Sequence, residues 1–332
     1  MNRASLIFAA LLALLVPLSL LAGRVWIAPG DFGPGNTMLI LAELRLPRAV
    51  LAVVIGAGLG AAGAAMQGYL RNPLADPGLF GIAPMAALGA VASFWLGAAI
   101  PPAWAPWSLP LLALAGAGLG MALLALIAGR TSGDAAGGAG GGIALFTLAG
   151  LMLASLAGAL TALAITLAPN PFALSEIVLW LNGALTDRSW REVAIAAPLT
   201  IAGIGVLALA ARSLDALTLG EEAARSLGME PRRLLALLVV GIGLTVGAGV
   251  AVAGIIGFVG LVVPHLVRPF TDRLPSSLIL PSALAGACLV LAADSVVRVL
   301  PLVTELRLGI ALSLIGAPFF LWLLLRMRRG RL

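Results

Sequence analysis

RLPRAVLAVVIGAGLGAAGAAMQGYLRNPLADPGLFGIAPMAALGA, residues 45–90, decides the fold. It reads as an apolar helix, a polar break and a second apolar helix. Pro47 stands near the start of the first helix, where a fixed φ and a missing N–H are tolerated. Small residues then recur at Gly56, Gly60 and Gly63, and at Ala57, Ala61 and Ala64. That spacing lets helix backbones approach closely in lipid. The break is Arg71-Asn72-Pro73-Leu74-Ala75-Asp76-Pro77-Gly78, whose prolines, asparagine and glycine cannot continue a helix. Polar, irregular backbone between two membrane helices must be buried in protein or line a water-filled path.

Composition agrees. The chain has 332 residues, 61% of them hydrophobic and 10% charged, with a mean hydropathy of +1.11. A soluble domain carries about 25% charged residues, so this chain reads as an all-α polytopic membrane protein forming one domain over 1–332. All 20 basic residues are arginine. Without lysine there is no P-loop GK[ST], and ATP hydrolysis by that route is excluded. The net charge of +6 reports loop arginines rather than a nucleic-acid surface. The single cysteine, Cys288, lies in an apolar run and excludes an internal disulfide. No Cys/His cluster offers a metal site.

Ten spans are expected: residues 1–22, 46–70, 79–96, 110–128, 143–167, 193–211, 234–253, a shorter one at 254–268, 277–300 and 304–325. Residues 100–109 read as an outer loop with Trp104 and Trp107 as interfacial anchors, and residues 174–181 as a short interfacial helix. The glycine-rich stretch 130–142 reads as a linker. With the N-terminus inside, thirteen arginines fall on the cytosolic side and seven outside, as the positive-inside rule requires.

Four groups of residues draw attention. The loop at about 212–233 is the most charged part of the chain; residues 218–227 form a short helix there, with Glu221, Glu222 and Arg225 exposed, ending at Gly228. Such a helix suits a groove on a partner. His265, the only histidine, has no serine or carboxylate beside it in sequence and reads as a hydrogen-bond or cap residue. Arg45 and Arg48, one turn apart, and Arg298 lie at outer helix ends, where phosphate snorkelling is the plain account. Asp294 and Glu305 are intramembrane or boundary acids, and Asp294, four residues before Arg298, is placed for a local ion pair.

The string from Arg45 to Gly81 resembles the RLPR…GAxLxxxGxxxQxxxRNPLAxPxxLG pattern of permeases of metal-chelate ABC importers, which carry iron–siderophores, haem or cobalamin; Phe80 stands where that pattern has leucine. GFVGLVVPHLVR, residues 257–268, is similar to a second motif of that family, and the resemblance covers nearly the whole chain. It implies the ten-helix, type II importer permease fold. Leu219, Gly220, Glu221, Glu222, Ala223, Ala224, Leu227 and Gly228 would form the helix coupled to the ATPase. Arg45, Arg48 and Arg298 would dock a periplasmic binding protein. Asn72, Leu74, Gly141, Gly142 and Ile143 would line the path or its gate. The chain itself would hold no cofactor, ATP and Mg²⁺ being bound by a partner ATPase. It would pair with a second permease subunit, a homodimer ahead of a heterodimer, in a bacterial inner membrane with both termini cytoplasmic. Where the family reads Glu-Leu-Pro, this chain has Glu305-Leu306-Arg307, which places the start of the last helix in question. The other reading kept open is a secondary transporter driven by an ion gradient, which would use the two membrane acids. An integral membrane enzyme would need a polar catalytic cluster that the sequence lacks.

Overall fold

Gly56 and Gly60 sit on one face of a long helix, and Ser282 and Gly286 sit on another helix 226 residues away in sequence. A Cβ on Gly56 would fall on the Gly286 carbonyl, and one on Gly60 on the Ser282 carbonyl; a Cβ on Gly286 would return onto Gly56. The two backbones touch, as small residues four apart allow. On other sides of the same helix, Gly63 meets the Gly260 backbone, and Gly58 meets Thr200 and Thr245. This helix is therefore the hub of the molecule.

The computed structural model describes residues 3–23, 25–27, 36–131 and 141–328, and the regular structure among them is helical. The helices are α1 (Arg3–Leu21), α2 (Asn36–Leu39), α3 (Leu46–Leu70), α4 (Ile82–Leu96), α5 (Ala105–Thr131), α6 (Gly141–Thr166), α7 (Pro171–Leu181), α8 (Trp190–Leu217), α9 (Glu221–Ser226), α10 (Pro231–Ala253), α11 (Val259–Val267), α12 (Pro275–Val299) and α13 (Leu308–Arg328). The linker at 132–140, most of the proline- and glycine-rich loop at 28–35, Arg24 and the last tail arginines lie outside the described residues.

Among the described residues, eight helices are long and apolar enough to cross a membrane, and shorter apolar helices accompany them. The hub helix has 72% of its most apolar window buried, against 17% for α1 and 28% for α6. So α3 is a core helix, while α1 and α6 turn apolar surface outward to lipid or to another chain. α4 and α5 repeat the hub's packing: a Cβ on Gly89 would meet the Leu112 carbonyl, and one on Gly116 the Met85 carbonyl.

Several boundaries differ from the sequence expectation for definite reasons. The second span begins earlier, because α2 and a π-helical turn at Ile40–Arg45 lead into α3. Pro47 has no N–H for the Glu43 carbonyl, and the widened turn bonds Leu46 N–H to Leu41 O instead. The expected third span is only the 15 residues of α4, preceded by a 3₁₀ turn at Pro77–Phe80. The expected eighth is the nine-residue α11, entered through non-helical Gly254–Phe258. The expected loop at 100–109 is half helical, since α5 starts at Ala105. α8 extends to Leu217, so Arg212 is helical rather than in a loop. Arg307 does not disturb the last helix: its carbonyl accepts from Ala311 N–H at 3.1 Å and opens α13.

Gly60→Val is expected to cost about 3 kcal/mol, because its methyls would strike the α12 backbone. Gly205→Ala, whose Cβ would point into open space, should leave the thermal midpoint within about 2 °C of wild type. Thermal midpoints of the detergent-solubilised protein decide between these outcomes.

Candidate functional site

The two ends of α3 carry the polar residues that the apolar span lacks. The helix is about 37 Å long, so Arg48 at one end and Gln67 at the other define two separate sites.

At the first end, Arg48 is buried. Its Nε donates to Asp294 Oδ1 at 2.9 Å and its NH2 to the same oxygen at 2.8 Å. Its NH1 donates to Glu305 Oε2 at 3.3 Å, and its NH2 bonds Glu305 Oε1. Arg298 Nε lies 3.1 Å from Asp294 Oδ2 in the i,i+4 pair the sequence suggested, and Arg298 NH2 donates to Ser19 Oγ at 2.6 Å. Thr186 Oγ1 donates to Glu305 Oε1 at 3.3 Å. Two arginines and two acids thus join α1, α3, α12, the segment before α13 and the connection after α7. Charges removed from water persist only when paired and hydrogen-bonded in this way. Arg45 instead caps the end of α1, with NH1 donating to Leu20 O at 2.8 Å and Leu21 O at 2.9 Å, and NH2 to Val25 O at 2.7 Å. A cation on these last carbonyls also complements the helix dipole. The three expected docking arginines are therefore brought to one end, with Arg48 and Arg298 buried inside the chain's own network and Arg45 half-exposed.

Asp294 cannot leave this network, being fully buried on α12. Glu305 differs: it lies on the non-helical segment 300–307 and its side chain is 21% exposed. Burial opposes its charge, but the hydrogen bonds and positive charge of Arg48 hold its carboxyl below the usual glutamate range.

At the opposite end, Gln67 binds together the two stretches on which the family resemblance rests. Pro264 lies inside α11 and has no N–H to give the Gly260 carbonyl four residues earlier. Gln67 Nε2 donates there at 3.4 Å and to Leu261 O at 3.1 Å. Arg268 NH2 donates to Gln67 Oε1 at 3.1 Å and so orients the amide. Neither Gln67 nor Arg268 was assigned a role from sequence; the readable signal was a lone glutamine in an apolar helix together with a mid-helix proline. His265 stands with its ring edge-on to Phe319 at 6.2 Å, and its buried Nδ1 makes no hydrogen bond, unlike the bonded role expected of it. Buried Cys288 fills space beside the Phe8 carbonyl.

The break after α3 turns on Arg71, which has φ 48°. Asn72 Oδ1 accepts from Leu74 N–H at 3.0 Å, and Asp76 Oδ1 from Gly78 N–H at 2.7 Å. Asn72 is exposed and Leu74 half-buried. The break meets α6 through Phe146, which stands edge-on to Tyr69 (5.8 Å) and Phe80 (4.4 Å). Gly141, Gly142 and Ile143 open that same helix, so the expected gate residues are gathered at one end. A cavity of about 80 Å³ lies between the break and Gly254–Gly257, walled by Ile55, Leu59 and Val250, with Asp76 its one ionisable side chain. Phe258 closes this second break with φ 66°, a strained conformation for an aromatic residue.

The charged loop also ends here. α9 is the short helix Glu221–Ser226, narrower than expected. Leu219 and Leu227, each 67% exposed, flank it, while Ala224 is fully buried and anchors it. Gly220 (φ 101°) and Gly228 (φ 87°) supply left-handed turns on either side. Glu222 and Arg225 are exposed as expected, and so is Ala223. Glu221 is half-buried instead.

Arg48→Met leaves buried Asp294 with Arg298 alone and takes the arginine from Glu305, and is expected to cost about 3–5 kcal/mol, whereas Glu305→Gln should cost about 1 kcal/mol or less. Gln67→Met leaves the Gly260 carbonyl unpaired and is expected to cost about 1–3 kcal/mol. The Glu305 contribution should be complete above the ordinary glutamate pKa of about 4.3 and fade as the pH falls through the lower folded value. Wild type should therefore lose its stability margin over Glu305→Gln below about pH 4, read from thermal midpoints between pH 7 and pH 3.

The chain is 38% identical over 289 residues to the hemin transport system permease protein HmuU of Yersinia pestis, covering 87% of this chain and 84% of that protein. It is 38% identical over 318 residues to the vitamin B12 import system permease protein BtuC of Salmonella schwarzengrund, covering 94% and 91%. Among solved structures, a metal-chelate type ABC transporter in an inward-facing conformation aligns with a TM-score of 0.86 at 28% identity, over 97% of this chain and 98% of the other. PsaBC from Streptococcus pneumoniae shares the fold, with a TM-score of 0.51 at 18% identity over 83% and 88% of the two chains. The family model of the FecCD transport family matches residues 11–326, and this integral membrane protein belongs to that family.

Proposed function

We propose that this chain is the membrane permease of an ATP-binding-cassette importer for a metal chelate. The carrying observation is the match of nearly its whole length, breaks and α9 loop included, to permease relatives. The relatives named for haem and for vitamin B12 are equally similar, at 38%. The cargo is accordingly a chelate of that class, an iron–siderophore, haem or cobalamin.

In this reading two copies of the chain enclose the path, in the inner membrane of a bacterium with both termini cytoplasmic. Two ATPase subunits bind ATP and Mg²⁺, and α9 seats in a groove on one of them. The exposed leucines on either side of α9 suit an apolar groove, and the buried Ala224 ties it to the helix ends. Gly141, Gly142, Ile143, Asn72 and Leu74 border the gate at the cytoplasmic end. A periplasmic binding protein docks on the end carrying Arg45, Arg48 and Arg298. Arg45 is half-exposed toward it, while Arg48 and Arg298 act from beneath the surface. The ion-driven alternative loses its basis, since Asp294 and Glu305 are both paired with arginine.

The test reconstitutes the chain with its ATPase and binding protein and compares wild type with the double variant Glu221→Arg, Glu222→Arg and with Glu222→Arg alone. Both variants should lower stimulated ATP hydrolysis and uptake together, by about tenfold or more, corresponding to 1.4 kcal/mol of coupling. The assembled complex should keep its thermal midpoint in the single variant. Uptake that continues without ATP, driven by a sodium or proton gradient, sinks the importer reading.

A further inference from the structure

Arg48 is held by two acids that differ in how firmly they are placed. Asp294 is fully buried on a helix and bonds through both carboxylate oxygens. Glu305 reaches the other side of the same guanidinium from the irregular segment 300–307. That segment is open to solvent; Val303 is 96% exposed. Arg48 is held by both acids, so an added carboxylate reaches it only when one of them leaves. Only Glu305 is positioned to leave.

We infer that Glu305 is an internal stand-in for a carboxylate of the docking protein, held by Arg48 until docking displaces it. This rests on the docking surface proposed above and adds the residue that competes for it. A charge-assisted pair is exchanged for a pair of the same kind, so docking desolvates no unpaired charge at this point.

The displaced segment has somewhere to transmit its release. It runs directly into α13, where Gly309 N–H donates to Gly183 O at 3.1 Å. A Cβ on Gly309 would press on the Asn182 and Ile255 carbonyls. Ile255 belongs to the break between α10 and α11 and lines the cavity beside Asp76. Loss of the Glu305 clasp thus frees the first turn of α13 against that break, and a change at the docking end reaches the middle of the membrane through packed backbone.

The prediction runs against the usual effect of removing a hydrogen-bonded charge. Glu305→Gln should tighten docking of the binding protein by about threefold or more, since the competitor is gone. Glu43→Gln, which removes an equally negative, exposed side chain near Arg45, is the control for net charge and should change affinity by less than that. Affinity is measured on the full importer in lipid nanodiscs, with its periplasmic binding protein. A nitroxide at position 303 (Val303→Cys in a Cys288→Ser background) should gain mobility when that protein docks, and should be mobile beforehand in Glu305→Gln. Unchanged or weaker docking by Glu305→Gln, equal tightening by both glutamine variants, or a label that docking leaves immobile overturns the displacement. Docking that is insensitive to salt between 50 and 500 mM overturns the docking surface itself, independently of Glu305.

Discussion

The close approach of α3 to α12 is the constraint on which the rest depends. In lipid there is little hydrophobic gain from pressing apolar helices together, so association relies on packing and on polar links. Gly56, Gly60 and Gly286 remove the side chains that would hold the backbones apart. Once the two axes are that close, Arg48 on one and Asp294 on the other fall within hydrogen-bond reach. A larger residue at any of these glycines would separate the charges as well as the helices. Packing and ion pairing are in this sense one interaction.

From that seam the molecule divides into a fixed part and adjustable parts. The fixed part is α3, α10 and α12, the helices with the largest buried share. The adjustable parts are backbone that the membrane does not hold as helix: the break after α3, Gly254–Phe258, and the segment 300–307. Each is tied to the fixed part by a small number of polar contacts, Asn72 N–H to the Gln67 carbonyl of α3, Gly254 N–H to the Val250 carbonyl of α10 and Glu305 to Arg48. Irregular backbone within a helical bundle must be satisfied by protein or water, and here side chains satisfy it. Such places admit two arrangements at modest cost.

Much of this was legible in the residues. Apolar runs set the spans, since the bilayer demands long uncharged helices. α3 begins and ends where the Pro47 and Asn72-Pro73 boundaries placed it, and the Asp294–Arg298 pair followed from i,i+4 spacing. The short α4 and α11 were harder, because an apolar run reads alike whether it crosses the membrane or stops midway against a break. The π turn ahead of Pro47 and the helical start of α5 before Pro110 likewise reflect neighbours that propensity does not see.

Sequence by itself determined that the chain is a helical membrane protein, because composition and the spacing of small residues and prolines are local properties, and its motifs carried the resemblance to chelate-importer permeases. Tertiary structure alone decided what the arginines do. Arg45, Arg48 and Arg298 look alike as cations at helix ends, yet one caps α1, one bridges two acids and one joins α12 to Ser19. Their partners lie 20 to 279 residues away. Only the folded backbone brings those groups within 3 Å, and whether a charge is buried or offered outward depends on that distance rather than on the residue itself.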